Sequence, residues 1–340
     1  MRRVRLGVVG CGAIVREAHL PAVVAHPDVE VTALCDRERA NARMTAHEFD
    51  LHCPIVTSAS ELVGKVDAAI VAVPPRWHAP VAIELMTAGI DVLCEKPLAT
   101  TVEDAAAMAA CARDHRRVLA VALMMRYFPH NEVLRQLVVD DELGEIREVV
   151  AEDGAPLDWA MAANSYFDRR NTGGGVLFDS GVHTLDRVLW LFGPLTSLGY
   201  QDDAFGGFES TARLTGELTI AGRAVPARLE FSWSHRLPRS IKVVGSLATA
   251  EAFIADPRTL TLTRASRRGP LTMVVQCAAT WAPTGHYRAQ LADFVAAVRE
   301  RRAPFVTAES ALASLAVIAD AYRQRTPLPQ PWLDRAEART

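Results

Sequence analysis

Apolar residues in the first 122 positions come in short, nearly unbroken runs: Val4 to Val9, Val29 to Cys35, Ala68 to Val73, Val92 to Cys94 and Val118 to Ala122. Runs of that length without polar alternation predict strands covered on both faces, as in a parallel sheet. Between them Ile14 to Ala25, Glu38 to Phe49, Ala79 to Thr87 and Val102 to Arg113 are rich in helix formers. Strand and helix alternate throughout, which predicts a doubly wound α/β sheet of the Rossmann kind.

After Arg126 the rhythm changes. The pattern predicts a helix over Asn131 to Asp141, a strand over Ile146 to Glu152 after Gly144, and a helix over Val182 to Phe192 opened by glycines at 173–175. From Leu195 to Gln276 short alternating stretches (Leu218 to Ile220, Ala227 to Trp233, Ser240 to Val244, Leu260 to Thr263, Met273 to Gln276) are punctuated by Gly, Pro and Asp. They predict a large, mostly antiparallel open sheet. Amphipathic helices over Arg288 to Arg299 and Ala308 to Tyr322 follow. The expected division is a dinucleotide-binding α/β domain at 1–122 and an α+β substrate and oligomerisation domain at 123–340.

Composition narrows the classes. Half of the 340 residues are apolar and the formal net charge is -3, whereas nucleic-acid binding needs clustered positive charge. No apolar run approaches a bilayer span, and the run after the basic first residues stops at Gly10, too soon for a secretory signal. The six cysteines form no Cys-x-x-Cys pair and no zinc-finger spacing. They read as reduced thiols in a cytoplasmic protein with no metal site. Only three lysines (Lys65, Lys96, Lys242) survive against thirty-four arginines. A lysine kept in such a background marks a place where a shareable proton matters, since Arg does not give one up.

Candidate chemistry sits at the ends of the strand runs. Gly10-Cys11-Gly12-Ala13-Ile14 follows the first run and opens the first helix, a turn that lets backbone N–H groups approach a pyrophosphate. The next fingerprint position holds Val15 rather than Gly or Ala. Asp36 ends the second run about 20 residues on, where an acid hydrogen-bonds the adenosine ribose and favours NAD, while the adjacent Arg37 leaves NADP possible. The fifth run ends in Glu95-Lys96-Pro97, and residues just past strand C-termini face the ligand crevice. Asp179 and His183 are four apart and would share one helix face. Taken singly each has an ordinary reading: a surface lysine, an N-cap aspartate, a satisfied helix histidine.

Together Gly10-x-Gly12, Glu95-Lys96-Pro97 and Gly173-Gly174-Gly175 through Asp179 to His183 resemble the glucose–fructose oxidoreductase / inositol dehydrogenase / rhizopine-catabolism (Gfo/Idh/MocA) family. Pro74-Pro75-x-x-His78, Arg126-Tyr-Phe-Pro129 and His286-Tyr287 are further echoes, with Pro75 where the family more often has Asn. The resemblance implies hydride exchange between NAD(P) and a sugar or cyclitol hydroxyl or ketone, with Lys96, Asp179 and His183 as catalytic residues. Pro74, His78 and Glu95 are expected beside the cofactor. His183, a histidine and so with an unperturbed pKa near neutrality, is the first candidate for the proton; Lys96 would stabilise the alkoxide, and the choice between them is open. Arg126, Tyr166, Arg169 and Tyr287 are candidates for substrate contact, with packing or surface roles equally open. Two other functions stay in view, a non-catalytic NAD(P) sensor and an NAD-using glycosidase. An open sheet with one bare face suggests a homodimer or homotetramer.

Overall fold

The computed structural model describes residues 2–157, 169–205, 207–278, 282 and 284–329. The first six strands, β1 (Val4–Val9), β2 (Val29–Cys35), β3 (Ile55–Val56), β4 (Ala68–Val71), β5 (Asp91–Cys94) and β6 (Leu119–Val121), form one parallel sheet in the order β3-β2-β1-β4-β5-β6. The order reverses between β1 and β4, and such a reversal opens a crevice at the strand C-termini. Four helices follow the expected spans: α1 (Leu20–Val24), preceded by a wide π turn at Val15–His19, then α2 (Arg39–Glu48), α3 (His78–Thr87) and α4 (Val102–Asp114). Val15 is fully buried in that wide turn, so a β-branched residue is accommodated where Gly or Ala was expected.

The second sheet has nine strands: β7 (Ile146–Gly154), β8 (Leu195–Asp202), β9 (Thr211–Ile220), β10 (Arg223–Ser232), β11 (Ser240–Gly245), β12 (Ala248–Phe253), β13 (Thr259–Arg264), β14 (Leu271–Gln276) and β15 (Thr326–Pro327). Their order is β14-β13-β12-β11-β7-β10-β9-β8-β15, antiparallel except for β7 with β10 and β8 with β15. Residues of β9 and β10 alternate between buried and exposed, so one face packs and the other carries charges such as the Arg228–Glu148 and Arg213–Glu230 pairs. The helices of this part are α5 (Pro129–Val139), the short α6 (Arg169–Thr172), α7 (Val182–Phe192), α8 (Gly285–Glu300) and α9 (Ala308–Arg323).

Two of these helices reach back to the first sheet. Leu291, Phe294, Val295 and Ala297 of α8 join the apolar cluster formed by β1 and α1. The segment before α9 runs beside β6, where Val121 N donates to Val306 O at 3.1 Å. A single apolar cluster then extends from β5 and α4 through α9 and α7 to β7 and β10.

Candidate active site

β1 delivers the chain into the glycine turn. Gly10 has φ +90°, and a Cβ there would collide with the Ala72 carbonyl, so only glycine serves. Around Gly12 a Cβ would meet nothing within 4 Å, leaving open space where a pyrophosphate can approach the Ala13 and Ile14 turn. Asp36 follows β2; its Oδ2 accepts the Cys11 N–H at 2.8 Å and its Oδ1 the Glu38 N–H at 2.8 Å. The carboxylate is thereby aimed along the rim of the turn, with lone pairs left for ribose hydroxyls. Arg37 beside it is exposed. These features fit a nicotinamide dinucleotide.

The loops after β4 and β5 are tied together. Pro74 is exposed, whereas His78 is buried with its two ring nitrogens 2.9 and 2.8 Å from the carbonyl oxygens of Pro97 and Val73. The expectation that His78 touches the cofactor is therefore revised: the buried ring lies between these two carbonyls, donates its one N–H to one of them, and packs against the Lys96 turn. Glu95 is also buried. Its Oε1 lies 2.7 Å from His19 Nε2 and its Oε2 accepts the Lys96 N–H at 3.0 Å. Burial alone would raise its pKa, but the His19 hydrogen bond and the charges of His19 and Lys96 outweigh that and lower it. The Lys96–Pro97 peptide is cis.

Lys96 reaches across to the other sheet. Its Nζ donates to both Asp179 Oδ1 and the Asp179 carbonyl at 2.9 Å. Asp179 sits in a π turn, Leu177–Gly181, continuous with α7, the kind of widened turn that gathers at functional sites. The three preceding glycines are steric necessities. A Cβ at Gly173 would enter the Phe178 ring, at Gly174 the Tyr322 hydroxyl, and at Gly175 the Glu209 carbonyl. Glu209 is buried and its Oε1 accepts the Gly175 N–H at 2.9 Å and the Tyr322 hydroxyl at 2.6 Å, pinning the turn from beneath. His183, in the first turn of α7, is 6% exposed with Nδ1 buried and unpartnered. Burial, then the charges of Lys96, His286 and Arg187, hold its imidazolium well below the usual range. It is neutral at physiological pH.

The expected substrate contacts divide. Arg126 is corrected: it is buried and bidentate to Asp186, Nε–Oδ2 2.7 Å and Nη2–Oδ1 2.6 Å, and touches Ser310, so it welds α7 to α9. Tyr166 lies outside the described residues, and Arg169 is placed only as the first residue of α6. Tyr287 packs its ring 5.7 Å from His19 and 4.5 Å from His286, on the Glu95 side of the site. The motifs did not single out His19, Glu209, His286 or Arg187 for a role. Only the His-Tyr pair opening α8 hinted at His286; His19 and Glu209 act through partners more than thirty residues away, and Arg187, four residues after His183, belongs to no motif. Among the described residues no metal-binding cluster occurs and no helix is long and apolar enough to cross a membrane.

A lysine and a neutral imidazole brought to the C-terminal end of a dinucleotide-type sheet are groups that hydride exchange at an alcohol or ketone can use. That places the protein among the NAD(P)-dependent oxidoreductases. The family model described as an oxidoreductase family with an NAD-binding Rossmann fold matches residues 4–123, and the GFO/IDH/MocA C-terminal domain matches residues 132–251. The chain belongs to the Gfo/Idh/MocA family.

Its relatives include a dTDP-3,4-didehydro-2,6-dideoxy-alpha-D-glucose 3-reductase from Saccharopolyspora spinosa, 30% identical over 78% of this chain and 80% of that protein. A D-glucoside 3-dehydrogenase from Escherichia coli is 30% identical over 56% of this chain and 54% of that protein. In fold it resembles a 3-ketoreductase from Actinomadura kijaniata solved with TDP-benzene and NADP, with TM-score 0.78, 23% identity, and 96% and 100% of the two chains covered.

Proposed function

We propose that this enzyme interconverts a secondary alcohol and a ketone at ring position 3 of a sugar or nucleotide-linked sugar, with NAD preferred over NADP. The observation that carries it is the Lys96–Asp179 clasp, which joins the β5 turn to the helix bearing His183. Position 3 is suggested by the 3-reductase, the 3-dehydrogenase and the 3-ketoreductase to which the chain is similar. The bound nicotinamide supplies or accepts hydride at the substrate carbon. Lys96 Nζ, held by Asp179, and His183, through the nitrogen other than its buried Nδ1, together hold the substrate oxygen; donors preorganised there stabilise developing alkoxide. Asp179 keeps Lys96 in place and limits its freedom to turn away. Gly10, Gly12, Ala13, Ile14 and Asp36 hold the dinucleotide, with Glu95 fixing the Lys96 turn against the first helix.

A pure NAD(P) sensor has no use for this clasp, and nothing favours a glycosidase. We further place the protein in the cytoplasm, its six cysteines free, as a homodimer or homotetramer using the charged open face of the second sheet. The division at 1–122 and 123–340 remains our functional partition, a cofactor half and a substrate half.

The test has two steps. Titration with NADH and NADPH by nucleotide fluorescence should show tight binding of at least one, and 3-keto sugars, free and nucleotide-linked, should then oxidise it. Lys96→Ala should lose turnover by about 1,000-fold or more, the loss of an oxyanion-type donor and acid together, with NADH affinity within a few-fold. No binding of either nucleotide removes the assignment; full activity in Lys96→Ala removes Lys96 from the chemistry.

A further inference from the structure

We infer that Arg187 is a positioning residue that sets the tautomer of His183: through one bridging water it directs a donor at Nδ1, so that Nε2 carries the proton and faces the substrate oxygen. The inference rests on the catalytic reading above and assigns the division of labour that reading leaves open.

His183 and Arg187 are four apart on α7. Side chains so spaced lie on one face, and long ones lean toward the helix N-terminus, so Arg187 runs back beneath the turn of His183. Arg187 is fully buried, and no carboxylate within ion-pair distance of it occurs among the described residues. One side of its fork is held, Nη2 by Asn131 Oδ1 at 2.9 Å and His130 Nε2 at 2.9 Å, and Nε by Asn131 Oδ1 at 3.3 Å. Its Nη1 is buried without a partner, as is Nδ1 of His183. A buried donor and a buried acceptor left open one turn apart are each costly, and a single water satisfies both. His286 offers the third partner such a water needs: its Nδ1 is likewise buried and unpartnered, and its ring shares Phe128 as a neighbour with Arg187, at 5.4 Å in each case.

The charges around His183 agree. Lys96, His286 and Arg187 all oppose an imidazolium, Asp179 is spent on Lys96, and Asp153 and Asp186 act on Arg187. A neutral imidazole has one N–H, and a guanidinium has only donors. A water held by Arg187 Nη1 has its own protons to donate, so Nδ1, the buried nitrogen left open, accepts and the proton resides on Nε2. His183 then donates a hydrogen bond without surrendering its proton. In ketone reduction, with the hydride that a bound nicotinamide would supply to the carbonyl carbon, the C=O π pair moves to oxygen and that oxygen takes its proton from Lys96 Nζ. Lys96 is left as an amine beside Asp179 and regains a proton from solvent.

Full-length protein carrying 15N-histidine, read by two-bond proton–nitrogen correlation at pH 7 and assigned with His183→Gln, reports the tautomer directly. The expected wild-type signature is Nε2–H. In Arg187→Met the Nδ1–H form should become populated, the His183 pKa should rise, and kcat for ketone reduction should fall by about tenfold or more with KM within a few-fold. Arg187→Lys, which keeps a donor and the charge, should restore much of the Nε2–H population. An Nδ1–H wild type, or an unchanged tautomer in Arg187→Met, overturns the inference. Should the Met variant fail to fold, the wild-type spectrum alone decides. The spectrum needs no turnover, so failure of the sugar reading would show separately, as absent NAD(P)H binding.

Discussion

Asp36 shows how much one side chain says by its position and how much its contacts add. Its place after β2 makes it our candidate for reading the ribose, and its hydrogen bonds to the backbone of Cys11 and Glu38 fix its carboxylate beside the glycine turn. A unit negative charge a few ångströms from a 2′-phosphate costs roughly 1 kcal/mol or more. Asp36→Ala should therefore shift the NADPH-to-NADH ratio of kcat/KM toward NADPH by about tenfold; an unchanged ratio would mean that Asp36 does not discriminate. Lys96, Asp179 and His183 could be proposed from the sequence because each lies in a compact local pattern. Arg126 was left between substrate contact and packing because its meaning depends on Asp186, sixty positions away, and an arginine after a strand looks the same whether it faces substrate or a buried carboxylate.

At the scale of elements, the glycine run before α7 is the clearest case of geometry demanding a residue type. Each of its three glycines touches a different neighbour, and at Gly175 the obstacle is backbone, which cannot swing aside. Gly175→Ala should cost about 3 kcal/mol or more, as overpacking against a fixed wall does. It should also displace the π turn that carries Asp179. Thermal melting should show a lowered Tm and steady-state assays a lowered kcat at permissive temperature, while NADH affinity stays near wild type; an unaltered Tm would contradict the packing argument. Most strands and helices were readable from periodicity. β12 was not, because Ala-Thr-Ala-Glu-Ala-Phe has alternating burial but alanines of low β propensity. The two-residue strands β3 and β15 are too short to carry a pattern.

For the whole molecule, four imidazoles are stored neutral inside the fold. Burial lowers His78 and His183, while His130 is pushed down to about 3 and His286 to about 4. Unfolded, each titrates near about 6.5. As pH falls from about 6.5 toward 4 the unfolded chain takes up protons that the folded chain refuses, so stability drops across that window, by up to about 5 kcal/mol per pH unit if all four contribute. Asp186 and Glu209, raised by burial, oppose this near its lower end. Urea midpoints at pH 7, 6 and 5 should fall steadily before ordinary carboxylates titrate; a flat profile would mean that these rings are not held neutral.

The sequence by itself determined most of the strands and helices, the turn glycines and the residues proposed for the chemistry, because those follow from local periodicity, backbone sterics and short motifs. It also placed the chain in its family. Tertiary structure alone decided that α8 returns from the far end of the chain to cover β1, that one apolar cluster spans both sheets, that Arg126 is spent on Asp186, and that His183 is neutral. Those outcomes depend on burial and on charges summed over residues far apart in sequence. No window along the chain contains that sum.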